Sequence, residues 1–416
     1  MKHLKTIIIL AIITAFALSG IGCKKAAAGN SLPVVSEDRA DELVKDLDRD
    51  LVRANTRFAF NIFNQLTIEE EGQNIFISPL SILLALAMTY NGAVGETAQG
   101  MAHAMEFEGM DMEELNQGFS DLMISILSAD KSVELSIANS IWQRQDFDAK
   151  EDFIGTNKKY YNSEVKKLDF SDPGAADTIN DWISDATKEK IQKMLKEIPP
   201  DAVMYLINAI YFKGDWTYPF EEEATYEEVF YLADGSTKSV PMMHMTETFS
   251  YARHKGFKMI KLPYGQEKLA MYILLPDEGA DIDTIISSLD DELWGTLTEE
   301  FETGEVELTM PKYKMEYGVK LLNDALKALG MEAAFTPMAD FTNIAEGIFI
   351  SRVMHKAVIE VNEKGSEAAA ATVVEMVESA MPMDEIFEFR TDRPFMFTIS
   401  DDRTGSILFM GKVMNP

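Results

Sequence analysis

The chain has 416 residues, 46% of them hydrophobic and 26% charged, enough to bury a large core. Its formal net charge of -31 repels phosphate backbones and other polyanions, which excludes nucleic acid as a partner and predicts a highly soluble, self-repelling surface. The single cysteine, Cys23, excludes a disulfide within the chain and any thiolate metal cluster.

The first residues, MKHLKTIIILAIITAFALSGIGC, read as an export signal. Lys2 and Lys5 supply the positive start, and the apolar run from Thr6 to Leu18 is too short to span a bilayer comfortably. Ser19-Gly20-Ile21-Gly22-Cys23 is similar to a prokaryotic lipoprotein cleavage box, except that Gly20 stands where that box usually has Leu. The expectation is a signal peptide over 1–22, a lipid on Cys23, a polar tether over 23–39 and one folded domain over 40–416. That places the protein outside the cytoplasm, either secreted or lipid-anchored to the cell membrane. The alternative for Cys23 is a free thiol on a secreted chain.

Ala40 to Leu66 has helical periodicity, with Leu43, Leu47, Leu51, Phe58, Ile62 and Leu66 on one face. Ser78-Pro79 reads as the cap and first residue of a second helix. Asp111 to Leu127 and Ala175 to Met194 predict two more, the latter with Trp182 and Ile183 on its apolar face. Val203 to Phe212, Val240 to Tyr251, Phe257 to Leu262 and Lys268 to Leu275 predict strands bounded by Gly, Pro and Asp. Asp281 to Leu297 returns to helix, Glu305 to Met310 to strand, and Gly318 to Leu329 to helix. Ile348 to Val361, Pro394 to Ser400 and Ser406 to Val413 predict three final strands. With no repeat and no Gly/Ser-rich linker in the mature region, the pattern is one mixed domain of the α+β type.

Enzymatic motifs fail one after another. None of His3, His103, His244, His254 and His355 lies in HExxH, and no GxSxG elbow occurs. Gly405 to Lys412 has glycines spaced one residue too far apart for a phosphate loop, and Val413 cannot ligate magnesium as Ser or Thr would. No cofactor or metal is implied.

One stretch stays ambiguous on its own pattern: NEKGSEAAAATVVEMVESAMPM, from Asn362 to Met383. As a helix, its alanines are favourable and Val373, Val377 and Met381 share a face. As a strand, one face is Ser366, Ala368, Ala370, Thr372, Val374 and Met376, small or apolar throughout, and the other carries Glu367 and Glu375. Val353 to Val361 just before it is a strong strand pattern, so Glu363-Lys364-Gly365 can turn a hairpin. Periodicity does not choose between the two.

"VNEKGSEAAAAT" (Val361 to Thr372) resembles the hinge of the serpin reactive-centre loop. Other pieces agree in serpin order: "NIFISPLSI" (Asn74 to Ile82), "INDWISDAT" (Ile179 to Thr187), "LINAIYFKGDW" (Leu206 to Trp216), "MPKYKMEY" (Met310 to Tyr317), "VMHKAVIEVNE" (Val353 to Glu363), "FRTDRPFMF" (Phe389 to Phe397) and "FMGKVMNP" (Phe409 to Pro416). The resemblance spans roughly residues 50 to 416. It implies a serpin fold, with helices, three β-sheets and an exposed reactive-centre loop. It also implies a protein that is no enzyme but a monomeric, single-use inhibitor, trapping a target serine protease as a covalent acyl-enzyme while its cleaved loop inserts into the central sheet. The hinge would be Glu363, Lys364, Gly365, Ser366, Glu367, Ala368, Ala369, Ala370, Ala371 and Thr372, small wherever a strand face must slide between neighbours. In relatives with this loop length the residue before the cut lies sixteen positions beyond the hinge Glu, which gives the bond Ser379–Ala380. A small bait residue suits elastase-like or subtilisin-like proteases; a register shift would put Glu378 or Met381 at the cut. Ser78, Ser81, Asn208 and His355 match the polar cluster beneath the point where the sheet opens, and Trp216 the aromatic plug where the loop enters. The rivals are a non-inhibitory serpin acting as a binding module and an unrelated exported hydrolase.

Overall fold

The computed structural model describes residues 32–366 and 386–416. Its helices are α1 (Glu37–Asp46), α2 (Arg49–Glu69), α3 (Pro79–Tyr90), α4 (Gly95–Ala104), α5 (Met112–Leu127), α6 (Glu151–Tyr161), α7 (Ala175–Ala186), α8 (Ile282–Ser288), α9 (Asp291–Glu299) and α10 (Asn323–Leu326). The strands are β1 (Ile75–Ile77), β2 (Glu134–Arg144), β3 (Glu164–Leu168), β4 (Met204–Asp215), β5 (Thr225–Tyr231), β6 (Thr237–His254), β7 (Phe257–Tyr264) and β8 (Leu269–Pro276). They continue with β9 (Glu302–Pro311), β10 (Tyr313–Leu321), β11 (Met354–Asn362), β12 (Gly365–Ser366), β13 (Phe387–Arg390), β14 (Phe395–Asp401) and β15 (Ser406–Val413).

A six-stranded sheet runs β10-β11-β12-β4-β2-β3, and a nine-stranded one runs β1-β15-β14-β8-β7-β6-β9-β13 with β5 on β6. The long β6 carries two strand groups at once. Its first part pairs with β5, its last residues pair with β7, and β9 follows it between Met242 and Tyr251. Every residue of β8, β14 and β15 is buried, which is why β8 reads as a continuous apolar run without alternation, while β14 and β15 bury polar residues such as Asp401 and Lys412 as well. The main core lies between the two sheets and α2, α3 and α5. A smaller one joins α7 to the outer face of β4 through Trp142, Ile179, Trp182, Ile183, Ile207 and Ala209.

Several helices start at side-chain caps. Ser78 accepts from the Ser81 amide ahead of Pro79 in α3, and Asp111 accepts from the Glu113 and Glu114 amides in α5. Two predicted helices prove to be pairs. The Ala40–Leu66 run breaks at Leu47, where Asp48 caps α2, and Asp281–Leu297 breaks at Leu289, where Asp290 caps α9. The helix expected to reach Met194 ends at Ala186, because Lys188 and Glu189 adopt positive φ and the chain continues as an irregular strap to Val203. Gly318–Leu321, expected as helix, finishes β10, and the strand expected from Ile348 begins at Met354. Leu32 is already buried in the main core, ahead of the expected domain start at Ala40, and the Val35 amide donates to Ser128 Oγ. A single apolar anchor in a polar stretch leaves no periodic signal.

Candidate functional site

Strands β4 and β11 are neighbours in the sheet only through β12. Gly365 and Ser366 pair with Asp215 and Gly214 on one side and with Asn362 and Val361 on the other. Below Ser366, among the described residues, no register joins β4 to β11. The space between them is a slot holding a cavity of about 330 Å³. Its floor is α3, through Ser81, Ile82, Ala85 and Leu86, and its roof is the strap, through Ile191, Met194 and Leu195. Asn180 of α7 fixes the strap: its Oδ1 accepts from the Met194 and Leu195 amides at 2.9 Å, and its Nδ2 donates to the Leu195 carbonyl at 2.7 Å.

At the top of the slot the chain turns tightly. The Phe220 amide donates to the Glu363 carbonyl, the Trp216 amide to the Lys364 carbonyl, and Trp216 Nε1 to the Asn362 carbonyl at 3.0 Å. The Trp216 ring is buried and stacks on Tyr264 at 4.6 Å. The Glu363 carboxylate accepts from Lys312 Nζ at 2.9 Å and from Thr225 Oγ1 at 3.0 Å. Burial works to raise its pKa, but Lys312, its own backbone N–H and Thr225 outweigh that and hold it below the ordinary glutamate value. Lys364 extends to Glu222 at 3.6 Å. Gly365 has φ 154°, and a Cβ there would stand 2.1 Å from the Gly214 carbonyl oxygen, so only glycine fits. Ser366 is buried, with its Oγ 2.5 Å from the Tyr264 hydroxyl, and burial raises the pKa of that phenol.

Midway down the slot sits the polar cluster. His355 Nε2 accepts from the Ser78 amide at 3.1 Å, while Ser78 Oγ accepts from the Ser81 amide and donates to the Leu408 carbonyl. Burial pushes the His355 pKa down to about 4, so the imidazole is neutral at pH 7. Nε2 is therefore the bare nitrogen and Nδ1 carries the proton. Across the slot, Asn208 Nδ2 donates to Asn139 Oδ1, and Asn139 Nδ2 to the Tyr161 carbonyl. Among the described residues, the buried Asn208 Oδ1 has no partner.

The sequence-predicted site thus resolves into parts. Ser78, Ser81 and His355 are hydrogen-bonded together, and Asn208 faces the same cavity from the opposite lip without bonding to them. Trp216, Glu363, Lys364, Gly365 and Ser366 form one assembly at the top. Glu367 to Thr372, the bond Ser379–Ala380 with its alternatives Glu378 and Met381, and Cys23 lie outside the described residues. Sequence reasoning missed Tyr264, Lys312, Thr225, Asn139 and Asn180 as members of the site. Tyr264 lies two residues beyond the strand predicted to end at Leu262, and nothing local marks Asn180 as a clamp on a segment fourteen residues away. Among the described residues, no group of His, Cys, Asp or Glu is arranged to hold a metal.

Residues 53–416 match the family model described as serpin (serine protease inhibitor). A serpin-like protein of Methanosarcina acetivorans is 32% identical, with 99% of this chain and 97% of that one covered. Bovine leukocyte elastase inhibitor is 37% identical, covering 88% of this chain and 99% of its own. The native-state crystal structure of the thermophilic serpin tengpin superposes with a TM-score of 0.81 at 32% identity, over 89% of this chain and 95% of that one.

Proposed function

The chain belongs to the serpin family of serine protease inhibitors, and from that premise we propose that it traps serine proteases by inserting its cleaved loop into the slot between β4 and β11. The family is one of inhibitors rather than catalysts, and the described fold is the serpin fold. The observation that carries the proposal is the seating of Gly365–Ser366 between β4 and β11, above a slot in which no described residue pairs the two strands.

Continuing both registers from that seat supports the reading. Ala368 and Ala370 would fall on the inner face opposite Phe212 and Ile210. Thr372 would fall between Asn208 on one lip and His355 on the other. Its hydroxyl has one proton to donate and lone pairs to accept, which suits a bare Asn208 Oδ1 and a His355 Nδ1–H. Insertion would then give a partner to Asn208 Oδ1, which has none among the described residues.

In the reaction, the protease serine attacks the Ser379 carbonyl, the amine of Ala380 leaves, and the acyl-enzyme forms. Freed at that bond, the loop slides into the slot and carries the protease away from the geometry that hydrolysis needs. Elastase-like or subtilisin-like enzymes are the proposed targets; one relative matched is a leukocyte elastase inhibitor. We place the protein outside the cytoplasm as a monomer, held by lipid on Cys23. Among the described residues no helix is long and apolar enough to cross a membrane.

The test is incubation with a panel of serine proteases, read by denaturing gel and intact mass. A detergent-stable complex at the summed mass, with a released fragment beginning at Ala380, is expected. Cleavage by every protease without any complex makes the protein a non-inhibitory binding module, and a fragment starting elsewhere moves the bait bond.

A further inference from the structure

Strand β13 lies at the edge of its sheet and, among the described strands, pairs with β9 alone. Its two faces are held differently. Phe387 and Phe389 are buried, with Tyr251 stacked on Phe387 at 4.1 Å. Arg390 takes the other face, partly exposed, in one register row with Thr309 of β9 and His244 of β6.

One carboxylate serves both ends of that row. Glu228 of β5 pairs through Oε2 with Arg390 Nη2, while its Oε1 stands 3.4 Å from His244 Nε2. That nitrogen is buried and has no hydrogen-bond partner among the described residues. Nδ1 lies 3.1 Å from Thr309 Oγ1, and Tyr226 covers the ring, stacked at 4.3 Å. The charged groups that act on the imidazole are Glu228, Arg390 and Glu307 of β9, and Asp392 pairs with Arg390 at 3.3 Å. Glu388 shares the face of Arg390 but registers with Glu307, two residues farther along. Burial disfavours the charged imidazole, Glu228 favours it, Arg390 opposes it and Glu307 favours it; the balance holds His244 below the ordinary histidine value.

We infer that His244 and Glu228 form a proton-operated latch on β13: while the imidazole is neutral Glu228 holds Arg390, and a proton on Nε2 draws the carboxylate to the imidazolium and loosens the strand. The linkage has one sign. Lifting β13 removes Arg390, leaves Glu228 and Glu307 to favour the imidazolium, and admits water to the ring. His244 therefore takes up a proton more readily in the loosened state, and acid favours that state by the same factor. The strand loosens rather than leaves, because its two phenylalanines stay buried and Thr391 donates to the Thr309 carbonyl from its amide and its hydroxyl at 2.9 and 3.0 Å. On the loop-insertion reading, β13 is the far anchor of the loop, which acid would slacken. The latch itself does not depend on that reading.

Hydrogen exchange on the intact full chain at pH 7 and 5.5, corrected for the intrinsic pH dependence of exchange, tests the latch. In wild type, opening at β13 and at the Thr391 amide is expected to rise about threefold on acidification, while β14 stays unchanged. H244Q should keep the pH 7 behaviour at both pH values, and E228Q should open β13 alike at both, to the level of acidified wild type. In R390A the pKa of His244, read from exchange at its ring Cε1–H, should rise. A wild-type β13 insensitive to pH, a response that survives in H244Q, or a His244 pKa unchanged in R390A would overturn the latch. No protease takes part, so the result is separate from that of the protease panel: a protein that traps nothing can still show the latch.

Discussion

At the Trp216 end of the slot, the carbonyls of Asn362, Glu363 and Lys364 each accept a hydrogen bond from the segment between Trp216 and Phe220, and the Glu363 carboxylate has both a cation and a hydroxyl. Midway down, Asn208 Oδ1 is buried without a partner among the described residues, and across from it His355 is neutral. Among the described residues, the two lips are joined at Gly365 and Ser366 and not below them. An unpaired buried acceptor costs about 1–3 kcal/mol, so on the proposed loop-insertion reading the open slot is a local weakness that a strand with the right side chains removes, and the seated hinge would couple that release to cleavage.

Closing the upper end against the loop tests that comparison most severely. In Gly365→Val the added atoms meet the Gly214 carbonyl and the Asp215 Cα. The residue leaves the sheet, and the rest of the loop cannot follow it in. The bait bond lies far along the chain from this position, so cleavage should persist while trapping fails. The yield of detergent-stable complex per cleaved inhibitor is expected to fall at least ~10-fold. A variant that traps as well as wild type shows that the seating of Gly365–Ser366 is dispensable.

Acid separates the two ends. His355 has its pKa lowered from 6.5 to about 4, so between those values the unfolded chain binds a proton that the fold refuses. Stability of the intact protein is then lost as pH falls through that window, by about 2–3 kcal/mol between pH 7 and 4.5. Glu363 behaves differently. Its pKa is lowered, so its contribution is present above the ordinary glutamate range and lost only as pH falls below that range through its own value. The middle of the slot should therefore loosen before the hinge does. Urea unfolding at pH 7 and 4.5 should show a smaller pH effect in His355→Asn than in wild type. Equal pH effects mean that His355 is not the residue refusing the proton.

Much of this arrangement was legible in the sequence, for identifiable reasons. Ser78-Pro79 announces α3 through capping chemistry, and β14 and β15 through length and bounding turns. The alternation of Ser366, Ala368, Ala370 and Thr372 kept a strand reading available for an alanine run that helix propensity favours, and Ser366 does sit as a strand residue on the inner face. The strap was not legible. Its Lys188-Glu189-Lys190-Ile191 continues the helical pattern of α7, and the turn that ends the helix rests on two non-glycine residues at positive φ, which no composition marks. Lys312 and Thr225 stand at positions that match the family pattern, but nothing local ties either to Glu363. Each is an unremarkable polar residue until folding brings it to Glu363 across the sheet.

The strap also provides the mildest of these tests. Asn180 is buried and spends all of its hydrogen-bonding on the segment that roofs the slot. Asn180→Ala removes three bonds from a segment that otherwise adheres through Ile191, Leu195 and the bond from Lys356 Nζ to the Lys193 carbonyl. A loss of about 1–2 kcal/mol of local stability is expected. Hydrogen exchange should then quicken at the Met194 and Leu195 amides and stay unchanged at the hinge amides of Trp216 and Phe220. Because Ile191 and Leu195 pack against both lips, the strap must give way for Val373 to seat beneath it. A looser roof should therefore speed the fluorescence change that follows cleavage, reported by Trp182 and Trp142 in the same small core. Asn180→Asp keeps the two acceptor bonds and should lie between Ala and wild type. A strap that exchanges faster while insertion runs at the wild-type rate means that the roof opens well before the loop arrives. The rate would then be set at the upper end, where Gly365 and Ser366 already hold the first rungs of the ladder.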